Sequence, residues 1–321
     1  MELTALAAGC SFLGCCLVYL MVYFPLILAL HRLSKTTPTY LLFLSNSIAD
    51  MSTFIQYGTL GFFILTRLDV SSIVDSIPIR LQYLFYNALM WSPLQWHYTP
   101  IAFLRLFAVV FPHEFGQWLD RRVCLTLCVA VWAFGIVLQA ATANGVPEEA
   151  LWVWDVGQLG IAPVNFTAFA QSAMPTIWSI SSLVAITLPF TTYALAILGV
   201  ALSTRAKKAL QDSKTEQRLV LSCVANFTLY ALLAFAGNFV SLHTKWRQLA
   251  YNVVVLHCSA TNGLVLLLLA TKLRKEFWKI VTGKKPPTHN TLNVPQNPQH
   301  PMAAAATQSR PTIRRNNFTQ A

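Results

Sequence analysis

Charge is what this chain has least of. Only 11% of its 321 residues are Asp, Glu, Lys or Arg, against about 25% in soluble domains. A surface wetted on all sides needs more than that, so the solvent is largely lipid. Acids are scarcer still, 12 against 23 Lys and Arg. The net charge of +11 does not signal nucleic acid, because the basic residues lie in short segments between apolar runs rather than on one face. No Lys or Arg precedes the first apolar run, and that run outlasts a signal h-region of about 7–15 residues, so it is expected to remain as a span.

Enzymatic signatures are missing too. The seven cysteines, Cys10, Cys15, Cys16, Cys124, Cys128, Cys223 and Cys258, fall within or at the ends of apolar runs. None has metal-ligand spacing with histidine and none lies in a loop suited to a disulfide, so they read as small buried apolar residues. His97 and His257 sit within spans, without an i, i+4 partner and with a single mid-span acid in the chain. That argues against a seven-span zinc hydrolase. No Ser-His-Asp order, Gly-rich phosphate loop or paired carboxylate stands out, and neither an enzyme nor a cofactor is expected. No internal repeat is apparent, which counts against an inverted-repeat transporter.

What the chain does have is long apolar runs. A bilayer core of about 30 Å needs about 20 helical residues, and seven segments qualify: 6–30, 40–65, 81–110, 123–143, 172–202, 219–242 and 249–271. None alternates in the manner of a barrel strand. The expected fold is an all-α membrane protein, a seven-transmembrane helix bundle. Pro93 and Pro100 fall in the third run, Pro175 and Pro189 in the fifth, where prolines kink a helix and neighbours satisfy the released carbonyls.

Lys and Arg set the orientation. Eighteen lie in the segments after spans one, three, five and seven, and four on the opposite side, Arg67, Arg80, Lys245 and Arg247. This places the N-terminus outside and the C-terminus in the cytosol, as in a multi-pass plasma-membrane protein. The 144–171 loop is then extracellular; it holds Glu148, Glu149 and Asp155, no Lys or Arg, and a glycosylation sequon at Asn165. After span seven, Leu273, Phe277, Ile280 and Val281 follow helical spacing among Lys272, Arg274, Lys275 and Lys279. That is an amphipathic helix, 272–281, lying along membrane lipid at the inner leaflet. Residues 1–281 form one expected domain, and 282–321, rich in Pro, Asn, Gln, Ala and Thr, a disordered cytosolic tail.

The remaining cation, Arg105, stands five residues before the third run ends at Val110. Its stem can snorkel to the inner boundary, which is the plain reading. Its surroundings say more. Ala108, Val109 and Pro112 follow it, Trp132 lies in span four, Ser47-Ile-Ala-Asp50 in span two and Pro189 in span five. Asn262 in span seven is followed by Ala270-Thr-Lys-Leu-Arg-Lys-Glu-Phe-Trp. Over about residues 5–281 this order resembles the rhodopsin-like G-protein-coupled receptors. Within them FLRLFAVVFPHEFGQW and IADMSTFIQYG resemble the nematode serpentine chemoreceptors, class V in particular.

The resemblance implies a chemosensory receptor. An extracellular small-molecule ligand shifts the bundle and opens a cytosolic cleft for the Gα subunit of a heterotrimeric G protein. Arg105 would meet the exposed carbonyls at the end of the Gα C-terminal helix, with Glu216 as its resting partner. Asp50, costly in mid-membrane, would pair with Asn262 across the bundle; a sodium site or a neutral bystander are the other readings, and Leu94 replaces one polar sodium ligand. The chain also departs from the pattern. Leu104 replaces the acid before Arg105, Gly263 replaces proline after Asn262, Leu266 replaces a tyrosine, span six lacks Trp-x-Pro, and no cysteine marks the outer end of span three.

Eighteen residues are five helical turns, so Asn87 is expected on the Arg105 face about 27 Å further out, with Trp91 one turn deeper. By resemblance the Asn87 position carries an aspartate when the ligand is a biogenic amine, so a neutral Asn disfavours a cation. Tyr83, Trp178, Tyr230, Phe235, Tyr251 and Asn252 are further candidates for the ligand pocket, with packing between helices the competing reading of each. The alternative function is a seven-span transporter or scramblase, which would need polar residues through the midplane of several helices; spans one, four and six have few.

Overall fold

A computed structural model describes residues 3–66, 77–111, 115, 118–155, 157, 159–202, 221, 223–232 and 245–283. Span one is α1 (Leu3–Ser34) and span two α2 (Tyr40–Thr66). Span three is a single helical path in four pieces: α3 (Ile79–Tyr86), a π-helical turn (Asn87–Trp91), α4 (Ser92–Trp96) and α5 (Tyr98–Val110). Span four is α6 (Arg121–Gly145), capped by Asp120, whose carboxylate accepts from Val123 N–H at 2.7 Å. A short 3₁₀ turn (Glu148–Ala150), β1 (Trp152–Asp155), β2 (Gly160–Pro163) and α7 (Phe166–Gln171) follow. Span five is α8 (Met174–Leu202). Part of span six is α9 (Cys223–Leu232). Span seven is α10 (Lys245–Leu269), and α11 (Thr271–Thr282) is the amphipathic helix. Among the described residues five helices are long and apolar enough to cross a membrane, and span three is broken into shorter pieces.

Three expectations need correction. Span seven stops at Leu269, and Thr271 already begins α11, because Ala270 is extended. The outer loop contains an antiparallel hairpin that was not foreseen, with Trp154 opposite Ile161. And Cys10 is exposed on the bundle's outside; only Cys16, Cys124, Cys128 and Cys223 are buried. The tail lies outside the described residues beyond Gly283, which ends α11 in the left-handed conformation.

The first two spans pack closely through glycine. A Cβ on Gly61 would come within 2.8 Å of the Leu13 backbone nitrogen, so the two helices touch at backbone level there. Gly263 has a similar role. A side chain there would strike Leu26 and Tyr23, and its N–H donates to the Tyr23 hydroxyl at 2.9 Å. Proline, missing at this position, could do neither.

The π turn has an identifiable cause. Ser92 N–H reaches back five residues to the Asn87 carbonyl, and Pro93 brings no N–H for the carbonyl of Leu89. Two donors one turn apart on α2 supply what is lacking: Ser52 donates to the Leu89 carbonyl and Gln56 Nε2 to that of Phe85 at 3.3 Å. Neighbouring side chains thus satisfy backbone groups that lipid cannot.

Candidate functional site

The polar residues gather at three depths. In the outer half, Tyr83, Asn87 and Trp91 of span three face Trp178 and Ser181 of α8 and Gln139 of α6 around a space of about 20 Å³, room for one water. Its amides and hydroxyls pair with one another and with backbone. Tyr83 donates to Gln139 Oε1 at 2.6 Å, Asn87 Nδ2 to the Tyr83 carbonyl at 3.1 Å, and Ser181 to Gln95 Oε1 at 3.4 Å. Beside them three indoles stack: Trp91 on Trp178 at 5.1 Å and Trp178 on Trp152 at 5.2 Å. Trp152 belongs to β1, so the hairpin closes this end. The hairpin is anchored to span seven by Gln248 Nε2, which donates to the Ile161 carbonyl at 2.7 Å, and to span three by Trp154 edge-on to Phe85.

At mid-depth lies Asp50, with 0% exposure. Asn262 Nδ2 donates to its Oδ1 at 3.1 Å, and Tyr98 donates to Asn262 Oδ1 at 2.7 Å. Tyr23 has one hydroxyl proton and three acceptors in reach, the Ser259 carbonyl at 2.7 Å, the Ala260 carbonyl at 3.3 Å and Asp50 Oδ2 at 3.3 Å; distance favours the Ser259 carbonyl. Asn226 Nδ2 donates to the Asn262 carbonyl at 3.1 Å, and Tyr230 stacks on Tyr98 at 5.2 Å. Side chains from spans one, two, three, six and seven therefore meet around one carboxylate. Burying it is costly, and hydrogen bonds from several helices offset that cost.

At the inner end Arg105 is 2% exposed. Its guanidinium carbon lies 5.5 Å from the centre of the Phe43 ring of α2, within cation–π range. Snorkelling to water is therefore not what this side chain does here. A ring from span two lies over a cation whose neighbouring residue is Leu104 rather than an acid.

Among the sequence candidates, Tyr83, Asn87, Trp91 and Trp178 line one cavity. The π turn breaks the five-turn arithmetic that put Asn87 on the Arg105 face. Tyr230 lies deeper, against Tyr98, and does not line that cavity. Asn252 accepts from Tyr57 at 2.8 Å and abuts Gly160 of the hairpin; Tyr251 is partly buried beside it in the helix packing. Glu216 and Phe235 lie outside the described residues. Asn165 caps α7, its Oδ1 accepting from Thr167 and Ala168 N–H; the cap does not use the Nδ2 that carries an N-linked sugar. His97 is tied to Ser45 at 2.8 Å, which also accepts from Trp132 Nε1 at 2.9 Å, so it belongs to packing of spans two to four. No group of three metal-binding side chains occurs among the described residues.

Sequence reasoning missed Tyr23, Phe43, Tyr98, Gln139 and Trp152. Two had a signal. Tyr98 stands seven residues before Arg105, two turns along the same face, and Gln139 is a lone amide in an apolar run.

The described residues hold five long apolar helices, a broken span three, part of span six and an amphipathic helix after span seven. The profile described as serpentine type 7TM GPCR chemoreceptor Srv matches residues 12–283, and the chain belongs to that family. It is thus a multi-pass membrane receptor of the chemoreceptor kind and not an enzyme. No curated protein matches it.

Proposed function

We propose that the chain is a chemosensory receptor whose outer cavity takes an extracellular small molecule and whose inner end, at Arg105, meets the Gα subunit of a heterotrimeric G protein. The N-terminus is outside and the C-terminus in the cytosol, by the distribution of Lys and Arg. Residues 1–281 carry this activity, and 282–321 are a cytosolic tail. The observation that supports the reading most is the burial of Arg105 beneath Phe43. A guanidinium stored there cannot reach a partner until the bundle repacks, so access to it differs between two packings. A ligand shifts their balance only by its differential affinity for them, typically worth about 1–3 kcal/mol.

The test is GDP–GTP exchange on a purified Gα subunit by the full chain in lipid vesicles. Arg105→Ala is expected to abolish stimulated exchange while leaving the protein folded; full exchange by that variant refutes the role. Orientation is read from the sugar: a glycan on Asn165 agrees with it, and one on Asn317, which heads an Asn-Phe-Thr sequon in the 282–321 tail, reverses it.

A further inference from the structure

The outer cavity is too small for an odorant. Ligand sites enclose about 300–1,000 Å³, and this one holds about 20 Å³. Beside it stands a stack of indoles, one of which, Trp152, covers a face of Trp178 without itself lining the space. Trp152 is not part of a span. It is carried by the hairpin and lies flat on Trp178 with an interplanar angle of 24°, while Phe169 meets its edge. It is only 9% exposed, yet its indole N–H has no hydrogen-bond partner among the described residues. An unpaired buried donor is a standing cost to the closed arrangement. The stack holds the ring in place, and release to water would relieve that cost.

We propose that Trp152 is a tethered plug, and that the receptor's ligand is a small, neutral, planar aromatic molecule that takes its place on the face of Trp178. The proposal rests on reading the outer cavity as the ligand site. Planarity follows from the position taken, that of a ring stacked on a ring. Neutrality follows from the space beside Trp178, whose lining is aromatic, amide, hydroxyl, thioether and aliphatic, with no charged side chain among the described residues. One ion pair of the outer end, Arg80 with Glu148 at 3.0 Å, is about half exposed on both sides. A cationic or anionic ligand would be buried without a counter-ion. The Tyr83–Gln139 and Asn87 groups give a ligand with one polar edge something to exchange hydrogen bonds with.

The plug also sets the affinity. A ligand competing with a tethered ring binds only the fraction of receptors whose hairpin has lifted, which weakens its apparent affinity by that fraction. Removing the ring removes the competition and leaves an indole-sized hole of the kind that takes small aromatic molecules.

The probe is indole, with tryptamine and indole-3-acetate as its cationic and anionic counterparts. Binding is read by thermal unfolding of the full chain in nanodiscs, with no G protein present. Trp152→Ala is expected to bind indole at least tenfold more tightly than the wild-type chain, and the two charged analogues at least tenfold more weakly than indole. Adding Trp178→Ala is expected to abolish the gain. Trp152→Leu, which keeps apolar bulk without a stacking plane, serves if the alanine variant does not fold. In the wild-type chain, saturating indole is expected to speed amide hydrogen exchange in the 152–163 hairpin. Equal indole affinity in wild-type and variant chains, equal binding of the charged analogues, or an unchanged hairpin under saturating indole overturns the proposal. Because no exchange on Gα is measured, failure of the Arg105 role leaves these results intact, and the reverse also holds.

Discussion

Asn262 is the residue whose removal tests the mid-membrane network most sharply. Its side chain makes two bonds to other helices, donating to Asp50 at 3.1 Å and accepting from Tyr98 at 2.7 Å. Interhelical side-chain hydrogen bonds in membranes average about 0.6 kcal/mol and reach about 1.7. Two of them put Asn262→Ala at about 1–3 kcal/mol of lost stability, toward the upper end because a buried carboxylate loses a donor. Reversible unfolding in mixed micelles, followed by tryptophan fluorescence, measures it. The sharper reading is the pair. Tyr98→Phe deletes one of the same two bonds, so the double variant is expected to be about as unstable as Asn262→Ala alone, with coupling of about 0.5–1.5 kcal/mol. A loss under about 0.5 kcal/mol, or strict additivity with Tyr98→Phe, refutes the bonding described. If stability falls while basal exchange on Gα does not move, the network holds equally in both packings.

At the inner end, replacing Phe43 with phenylalanines carrying successive ring fluorines drains the ring's negative face at nearly constant shape. Basal GDP–GTP exchange is expected to climb with each fluorine, and a flat series means that the ring only packs. On the amphipathic helix, Glu276 accepts from Lys279 at 2.9 Å and from Arg32 at 3.3 Å, and the Lys279 bond, with that of Arg32, holds its carboxyl below the ordinary glutamate value. A lowered carboxyl stabilises above its unfolded pKa and loses that contribution as pH falls through the folded one. Docking of α11 on α1, read by cross-linking, is expected to be flat from neutral to mildly acidic pH and to weaken only below the glutamate range. With Arg32 largely exposed, Glu276→Gln is expected to cost under about 1 kcal/mol. Weakening already near neutral pH would point to another group.

The spans were legible because length and hydropathy are additive along the chain, and α1, α2, α6 and α8 fall where apolar runs predict. Asp50 and Arg105 were legible because an isolated charge in lipid demands a reason. What the sequence hides is phase and company. The π turn at Asn87–Trp91 adds a residue to one turn, so helix arithmetic across it is off by about 100°, and only the paired donors Ser52 and Gln56 on another helix betray it. Trp152 looked like loop. Its Trp-Val-Trp run alternates over too few residues to announce a strand, and its stacking partner is supplied by a helix that starts 22 residues later. Phe43 lies in an apolar run where every ring looks alike; only the approach of α2 to span three singles it out.

Trp91, Tyr98 and Arg105 recur every seven residues along span three, and each meets a different depth of the site: the indole stack, the Asp50 network and the Phe43 ring. Alignment on one stripe is not coupling; that requires an element with two discrete arrangements. The wide turn at Trp91 would be such an element if it also narrowed to α, because that change rotates everything above it by about one residue's 100° and leaves Tyr98 and Arg105 where they are. Ser52 and Gln56 hold the wide form by donating to the Leu89 and Phe85 carbonyls. Replacing them with Ala and Leu withdraws both donors, which costs the wide form about 1–3 kcal/mol on the same membrane scale. The stacked Trp91–Trp178 pair reports the outcome through exciton-coupled circular dichroism, with Trp91→Phe as its baseline. The couplet is expected to weaken in the double variant. An undiminished couplet would mean that the wide turn stands without its donors, and that Pro93 alone maintains it.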